Sequence, residues 1–389
     1  MSQVAGIIAE YNPFHNGHLY QIQQVKQTLP DASLVVAMSG NFLQRGEPAI
    51  LDKWHRAKQC LQAGADLVLE LPFAAAVQAA DRFAYYGVWT LKQAGVTDLF
   101  FGAEHSDYDF MKYAAIVSEI SGNFNQYHES YAETYQKIII EKIGHSIDQP
   151  NDVLGLAYAK ANLKLNANLK LHPIQRKNAN YHDMQLANQG TIASASAIRQ
   201  AVFDQKTEIS KYVPQFTLQD LKKEKTVSWN DFWLHFKLEL LTHSAQELES
   251  IYGMREGIQY RMIAMAQQAE TCQSFAQWMK AVKTKRFTYT RLSRLATMVM
   301  LHVTQADIEY FYQHPFIRVL GFNNNGKAVL HTAKKKTQYP IITNVTAKDK
   351  KEIFNLDYRV GKGYQAINGA EQDLKHAPII INDVSSKTP

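Results

Sequence analysis

An α/β fold built on a Rossmann-like parallel sheet is predicted for the first half of the chain, and three observations carry it. Short apolar runs recur at Gln3–Ala9, Ser33–Met38, Leu67–Leu71 and Thr97–Phe101. Amphipathic stretches of helical period separate them. Turn residues close each run: Asn12–Pro13, Ser39–Gly40–Asn41, Pro72 and Gly102. Continuous apolar strands alternating with helices mark a parallel sheet buried on both faces. Such sheets bind ligands beyond the carboxyl ends of their strands. The post-strand segments 10–18, 39–47, 72–83 and 102–106 are therefore expected to converge on one site.

Each element has a local reason. From Gly17, Leu19, Ile22, Val25 and Leu29 fall at helical spacing until Pro30–Asp31 stops the pattern. Asp52 is an N-cap candidate for a helix to Ala63, ended by Gly64. Ala79–Gln93 forms the next helix, ended by Gly95. Residues 107–165 read as helical and rich in Tyr. Lys170–Gln175 is a fifth strand, followed by a polar turn at Lys177–Asp183. Ser194 introduces a short helix at Ala195–Val202.

From Pro214 the texture changes. Residues 215–310 carry amphipathic helical patterns, with Phe232, Phe236 and Leu240 in one and Leu292, Leu295 and Met298 in another. A small α+β end follows, with strand-like runs at Val329–Thr332 and Pro340–Val345, and the last dozen residues are expected to be loose. The boundary falls near 210–215, dividing 1–212 from 213–389.

Composition sets the bounds. The chain has 389 residues, 46% hydrophobic and 20% charged, an ordinary globular balance that excludes wholesale disorder. The length allows two or three domains at roughly 150 residues each. Cys60 and Cys272 lie far apart, which excludes a disulfide framework and fits a reducing compartment. No basic-plus-apolar leader and no membrane-length apolar run is seen, so a cytoplasmic location without membrane contact is expected. Charge is uneven. Residues 1–100 carry seven Lys/Arg and eight Asp/Glu, whereas residues 280–351 carry fourteen against three, a net of +11. That asymmetry points to an anionic partner such as nucleic acid, or to a plain solvated surface.

The strongest chemical signal is Asn12-Pro13-Phe14-His15-Asn16-Gly17-His18, of the form HxGH, between the first strand and the first helix. A helix N-terminus offers unpaired N–H groups to phosphate. Gly17 permits close approach of backbone. His15 and His18, three apart, can both donate to phosphate oxygens and stabilise charge at the α-phosphorus. A zinc site is disfavoured, because neither HEXXH spacing nor a Cys partner is present, and no metal ligand is assigned. The second signal is Thr191–Arg199 (TIASASAIR). Ser194 and Ser196 at a helix start, with Arg199 one turn on, form an anion cradle.

Together these two resemble the HxGH and ISxTxIR signatures of the nucleotidyltransferase superfamily, with Ser196 where that signature usually has Thr. Further segments narrow the match: Met38–Pro48 (MSGNFLQRGEP), Asp52–Ala57 (DKWHRA), Gly64–Pro72 (GADLVLELP), Phe101–Glu104 (FGAE), Asn151–Gly155 (NDVLG), Arg176 with Tyr181-His182-Asp183, Tyr289–Arg294 (YTRLSR) and Arg318–Phe322 (RVLGF). In this order they resemble the tRNA(Met) cytidine acetate ligase family, densely over about residues 3–200 and more thinly to the end.

The resemblance implies a nucleotidyltransferase fold of the HUP type in residues 1–212, followed by a mainly helical, tRNA-binding 213–389. It implies ATP and acetate as substrates, acetyl-adenylate as intermediate, and N4 of the wobble cytidine of elongator tRNA(Met) as acceptor. His15, His18 and Arg199 would be catalytic. ATP would lie along Ile7, Ile8, Ala9, Glu10, Tyr11, Asn12, Pro13, Phe14, His15, Asn16, Gly17, His18, Leu19 and Tyr20, with Gly102, Asn151, Arg176, Ser194 and Ser196. Gly102 is expected to end the fourth strand. Asn151 reads the base or ribose, or is a helix N-cap. Asn41, Gln44 and Arg45, beyond the second strand, would line the acetate or cytidine pocket, with Arg45 either binding acetate or bridging to Glu47 or Asp52. Lys283, Lys285, Arg286, Arg291 and Arg294, interleaved with Phe287 and Tyr289 as stacking residues, would carry the tRNA body together with Lys334, Lys335 and Lys336. Mg²⁺ is expected to accompany ATP, with no ligand named, and no protein partner is predicted. Three rivals remain at this point: a plain nucleotidyltransferase making a dinucleotide cofactor, a nucleotide-dependent RNA-binding protein without catalysis, and, least favoured, a structural role.

Overall fold

The structure, a computed structural model, describes residues 3–118, 139–176, 190–205, 208–268 and 272–382. The polar turn expected at 177–183 lies outside them. The first half forms the expected strands: β1 (Val4–Ala9), β2 (Ser33–Ser39), β3 (Leu67–Leu71), β4 (Asp98–Ala103) and β5 (Lys170–Gln175). They pair in parallel in the order β5-β4-β1-β2-β3. Gly102 lies inside β4, not at its end.

Side chains alternate between two cores, as strand geometry requires. Val4, Ile8, Val35, Ala37, Leu67 and Leu69 face one layer of helices. Ala5, Ile7, Leu34, Val36 and Val68 face the other. That second layer holds α1 (Asn16–Thr28), with Ile22 and Val25 inward, and α2 (Lys53–Gln62), with Trp54, Ala57 and Cys60 inward. Asp52 caps α2 as expected, accepting from the N–H groups of Trp54 and His55 at 3.0 Å each. Cys60 and Cys272 are both buried free thiols.

The second half holds the expected amphipathic helices, with Phe232, Phe236, Leu240, Trp278, Leu292, Leu295 and Met298 in one core. It also completes the sheet. β6 (Ile317–Phe322) pairs antiparallel with β3, and β7 (Ile341–Ile342) and β8 (Ile379–Ile380) pair parallel with β6. Val329–Thr332, expected as a strand, lies in the helix Asn324–Lys336. Asn323 caps that helix, and Val329 and Leu330 pack on the sheet. The expected strand at Pro340–Val345 reduces to β7. The C-terminal segment is not wholly loose, because β8 holds it to β6.

The carboxyl ends of β1 and β2 are held by Arg56 of α2. Its buried guanidinium donates to the carbonyls of Leu51 (2.9 Å), Glu10 (2.7 Å), Ser39 (3.0 Å) and Gly40. One turn earlier, Lys53 donates to Glu70 at the end of β3 (2.9 Å) and to Asp373 of the C-terminal segment (2.6 Å). Trp54 Nε1 donates to the Gln372 carbonyl at 2.7 Å. Replacing Arg56 with Met leaves those carbonyls without their donor. The expected cost is ~3–5 kcal/mol by urea unfolding, and a loss below ~1 kcal/mol would show that the carbonyls find other partners.

Candidate functional site

The post-strand segments do converge. They line a cleft of about 600 Å³ at the carboxyl ends of β1, β2, β4 and β5. The chain passes from β1–β2–β3 on one side to β4 on the other, so the sheet's switch point lies between β1 and β4, where ligands of such sheets sit.

His15 is the N-cap of α1 and does not lie within it. Its Nδ1 accepts from Gly17 N–H at 3.0 Å, while its own backbone N–H donates to His18 Nδ1 at 3.2 Å. Both Nδ1 atoms are therefore acceptors, and each neutral ring carries its proton on Nε2. The two rings stack with centroids 3.7 Å apart. Burial, then the charges of Arg176 and Arg199, push His15 down to about 3. Burial and His15 push His18 well below the usual range. The pair is a set of neutral N–H donors, not two imidazolium cations. A Cβ on residue 17 would lie 2.8 Å from His15 Cε1, so glycine is what lets the ring settle here.

Within the expected ATP segment, Ile8, Ala9, Glu10, Tyr11, Asn12, His15, Gly17, His18 and Tyr20 line the cleft. Ile7, Pro13, Phe14, Asn16 and Leu19 do not. Ile7 and Phe14 are wholly buried in the core behind it, and Leu19 packs against that core. Asn16 ties the loop down, donating to the carbonyls of Thr191 and Lys211 at 2.9 Å each. Asn12 Oδ1 accepts from Ile50 N–H at 2.7 Å. Glu10 accepts from Gln44 N–H at 2.6 Å, and burial raises its pKa.

Ser194, Ser196 and Arg199 join the same cleft. Ser194 caps the helix Ala195–Asp204, and its Oγ lies 3.2 Å from Ser196 Oγ. Arg199 donates to the Asn12 carbonyl at 2.7 Å and reaches Glu47 at 3.4 Å. That cation is thus seated against the HxGH loop. On the β4–β5 side stand Gly102, Asn151 and Arg176. Asn151 is not an N-cap. Its amide donates to Glu104 at 2.6 Å, and the same carboxylate accepts from the N–H groups of Asn151 and Asp152. Glu104 lies 3.8 Å from Arg176 and so orients both residues.

On the β2 side, Gln44 and Arg45 line the cleft but Asn41 does not. Asn41 is buried, donating to Gln372 at 2.7 Å and accepting from Lys53 N–H at 2.8 Å. Its role is to join α2 to the C-terminal segment. The two carboxylates weighed as bridging partners of Arg45 have further contacts of their own. Glu47 meets Arg199 and Tyr289 (3.3 Å), and Asp52 meets His55 (2.9 Å).

The basic segment divides. Lys283, Lys285 and Arg286 are exposed, as are Lys334, Lys335 and Lys336 at the end of their helix. Arg286 and Arg291 both pair with Glu256, at 2.6 and 3.4 Å. Phe287 cannot serve as a stacking platform, because it is buried in the helical core beneath Arg291. Tyr289 is turned toward Glu47. Arg294 leaves the outer surface and lines the cleft. Sequence reasoning did not single out Glu47 or Tyr158 as cleft residues, nor Glu104 as the carboxylate that holds Asn151 and Arg176. Glu47 and Glu104 sat within quoted motifs, whereas nothing local marked Tyr158.

The chain matches the model of the HIGH Nucleotidyl Transferase family over residues 1–377. It is 51% identical to the tRNA(Met) cytidine acetate ligase of Ligilactobacillus salivarius over 381 residues, covering 97% of this chain and all of that one. To the enzyme of that name from Limosilactobacillus reuteri it is 42% identical over 382 residues, covering 98% and 100%. Among solved structures, Thermotoga maritima TmcAL in an apo form superposes with a TM-score of 0.88 at 28% identity, covering 98% of this chain and 100% of that one. The same protein bound with alpha-thio ATP gives 0.86 at 28% identity over the same shares.

The histidine geometry has a direct readout. A lowered pKa means that protonation waits until the pH falls toward about 3 for His15. In ligand-free protein, ¹⁵N shifts of His15 and His18 should show protonated Nε2 and bare Nδ1 throughout about pH 5–8. A titration of either ring near 6.5 would overturn the assignment.

Proposed function

The chain belongs to the HIGH nucleotidyl transferase family, and from that premise we propose that it is an ATP-dependent tRNA(Met) cytidine acetate ligase. The observation that carries this is the pair of neutral Nε2–H donors of His15 and His18, set with Arg199 at the switch point of the sheet. Relatives that match nearly the whole chain bear that name, and a structural neighbour binds an ATP analogue.

ATP lies with its nucleoside toward Gly102, Asn151 and Arg176 and its phosphates toward His15, His18 and the Ser194–Arg199 turn. An acetate oxygen attacks the α-phosphorus, the bond to the β-phosphate oxygen breaks, and pyrophosphate leaves. The histidine N–H groups donate to oxygens whose charge grows in that step, a term commonly worth 10²–10³-fold per donor. Arg199, with Ser194 and Ser196, holds the departing pyrophosphate. N4 of the cytidine then attacks the acetyl carbon, AMP leaves with one oxygen that came from acetate, and the nitrogen gives up a proton. That amine is a poor nucleophile, so positioning carries much of the second step.

Residues 1–212 activate acetate, and 213–389 present the tRNA while completing the sheet through β6–β8. A tRNA substrate places the protein in the cytoplasm. Mg²⁺ would accompany ATP and offset its phosphate charge, and no residue of this chain is assigned to hold it. The cleft carboxylates Glu10 and Glu47 are engaged with Gln44, Arg199 and Tyr289, and no step here is routed through the ion.

The test is incubation with ATP, labelled acetate and elongator tRNA(Met), followed by nucleoside analysis. N4-acetylcytidine should appear only when ATP is present, and label entering from acetyl-CoA alone would refute the reading. In the same assay, the triple variant Lys283→Ala, Lys285→Ala, Arg286→Ala should bind tRNA more weakly. Its salt dependence should be shallower by about 0.9 for each phosphate that is no longer neutralised. Its ATP–pyrophosphate exchange with acetate should be unchanged.

A further inference from the structure

We propose that Arg294, from the C-terminal half, forms with Arg45 the subsite that binds the small carboxylate substrate. This rests on the activity proposed above and names a binding residue that the order of the sequence had placed on the tRNA surface.

The placement comes from one close approach. In the loop after β2, Gly46 has φ +82°, and a Cβ there would lie 2.6 Å from both the N and the Cα of Arg294. Only glycine permits this contact between the loop and the helix Tyr289–Met300. Thr297 Oγ1 of that helix also donates to the Gly46 carbonyl. Within the loop, Gly46 N–H donates to Leu43 O at 2.8 Å, and Leu43 N–H to Glu47 O at 2.9 Å. Arg45 and Arg294 are thereby brought to one wall of the cleft, with Thr290 beside them.

The cations at this wall differ in their partners. Arg291 and Arg286 share Glu256, and Arg199 has Glu47. Arg294 has no ion pair or hydrogen bond among the described residues. Its side chain is half-buried at the cleft wall, where Arg45 and Arg291 repel it, while Tyr252 and Asp81 attract it without bonding to it. A partly desolvated cation with no counter-charge in contact is costly unless an anion joins it.

Position and wall chemistry choose among anions. The nucleotide's phosphates already have His15, His18, Ser194, Ser196 and Arg199. Arg45 and Arg294 stand on the β2–β3 side of the histidines, opposite Gly102, Asn151 and Arg176. An anion held there would lie across the α-phosphorus from the nucleoside. A planar guanidinium fork matches a carboxylate. Leu43, Ala80 and Phe83 also line the cleft and offer short apolar contacts to a methyl group.

The experiment is ATP–pyrophosphate exchange with acetate for wild type, Arg294→Gln and Arg294→Lys, with tRNA affinity measured in parallel. Arg294→Gln should raise the KM for acetate roughly 10- to 100-fold, the range expected for losing a charged hydrogen-bonding pair. Arg294→Lys should recover part of that loss. KM for ATP and the Kd for tRNA should stay within about twofold, which also shows that the variant is folded. An unchanged KM for acetate, or a loss confined to tRNA affinity, would overturn the subsite. Absence of acetate-dependent exchange in the wild type would instead remove the activity on which it rests.

Discussion

The site depends on Arg56. A guanidinium without solvent is costly, and here it is retained because its planar fork meets main-chain carbonyls from three separate places. Glu10 follows β1, Ser39 and Gly40 close β2, and Leu51 leads into α2. No hydrophobic side chain could satisfy those oxygens, and a lysine would reach fewer of them. Once the two strand exits are fixed, the segments that leave them are aimed. The β1 exit becomes the His15–His18 turn, and the β2 exit becomes the Gln44–Glu47 loop. Lys53 on the same helix adds the end of β3 and the C-terminal segment. One helix thus clamps three strand ends and the far end of the chain, in a buried polar network whose parts strengthen one another when complete.

The second half is not an appendage. β6 extends the sheet at β3, and the helix Tyr289–Met300 presses its backbone onto Gly46. Glu47, between them, accepts from Tyr289 and meets Arg199. The cleft therefore contains residues from both halves of the chain, and whatever occupies it contacts both. That suits a two-step reaction in which the activating half and the presenting half must share one intermediate.

Much of this was legible in the sequence. Strands β1 to β4 were, because a strand buried on both faces is a continuous apolar run with little else to be. The HxGH turn was legible because glycine and two histidines at a helix start have few structural reasons to coincide. Other features depend on partners that the local sequence does not reveal. Ile317–Phe322 becomes a strand by antiparallel pairing with Leu67–Glu70, far earlier in the chain, and the Arg318 inside it disguises the apolar run. Val329–Thr332 has a β-branched look, but the Asn323 cap and the Val329–Leu330 face decide for helix. Asn41 sits in the right loop for a pocket, yet Gln372, 331 residues away, claims its amide. Arg294 belongs to a basic cluster by sequence and to the cleft by geometry, and only the contact with Gly46 distinguishes the two.

Central to the proposed chemistry is attack by a carboxylate oxygen on the α-phosphorus, in the cleft beside His15 and His18. Doubly ¹⁸O-labelled acetate tests it most directly, with mass analysis of the products after acetyl transfer to tRNA. One labelled oxygen should appear in AMP and none in pyrophosphate. Label in inorganic phosphate, with ADP as the nucleotide product, would mean attack at the γ-phosphorus and would contradict the placement of the histidines and of the carboxylate.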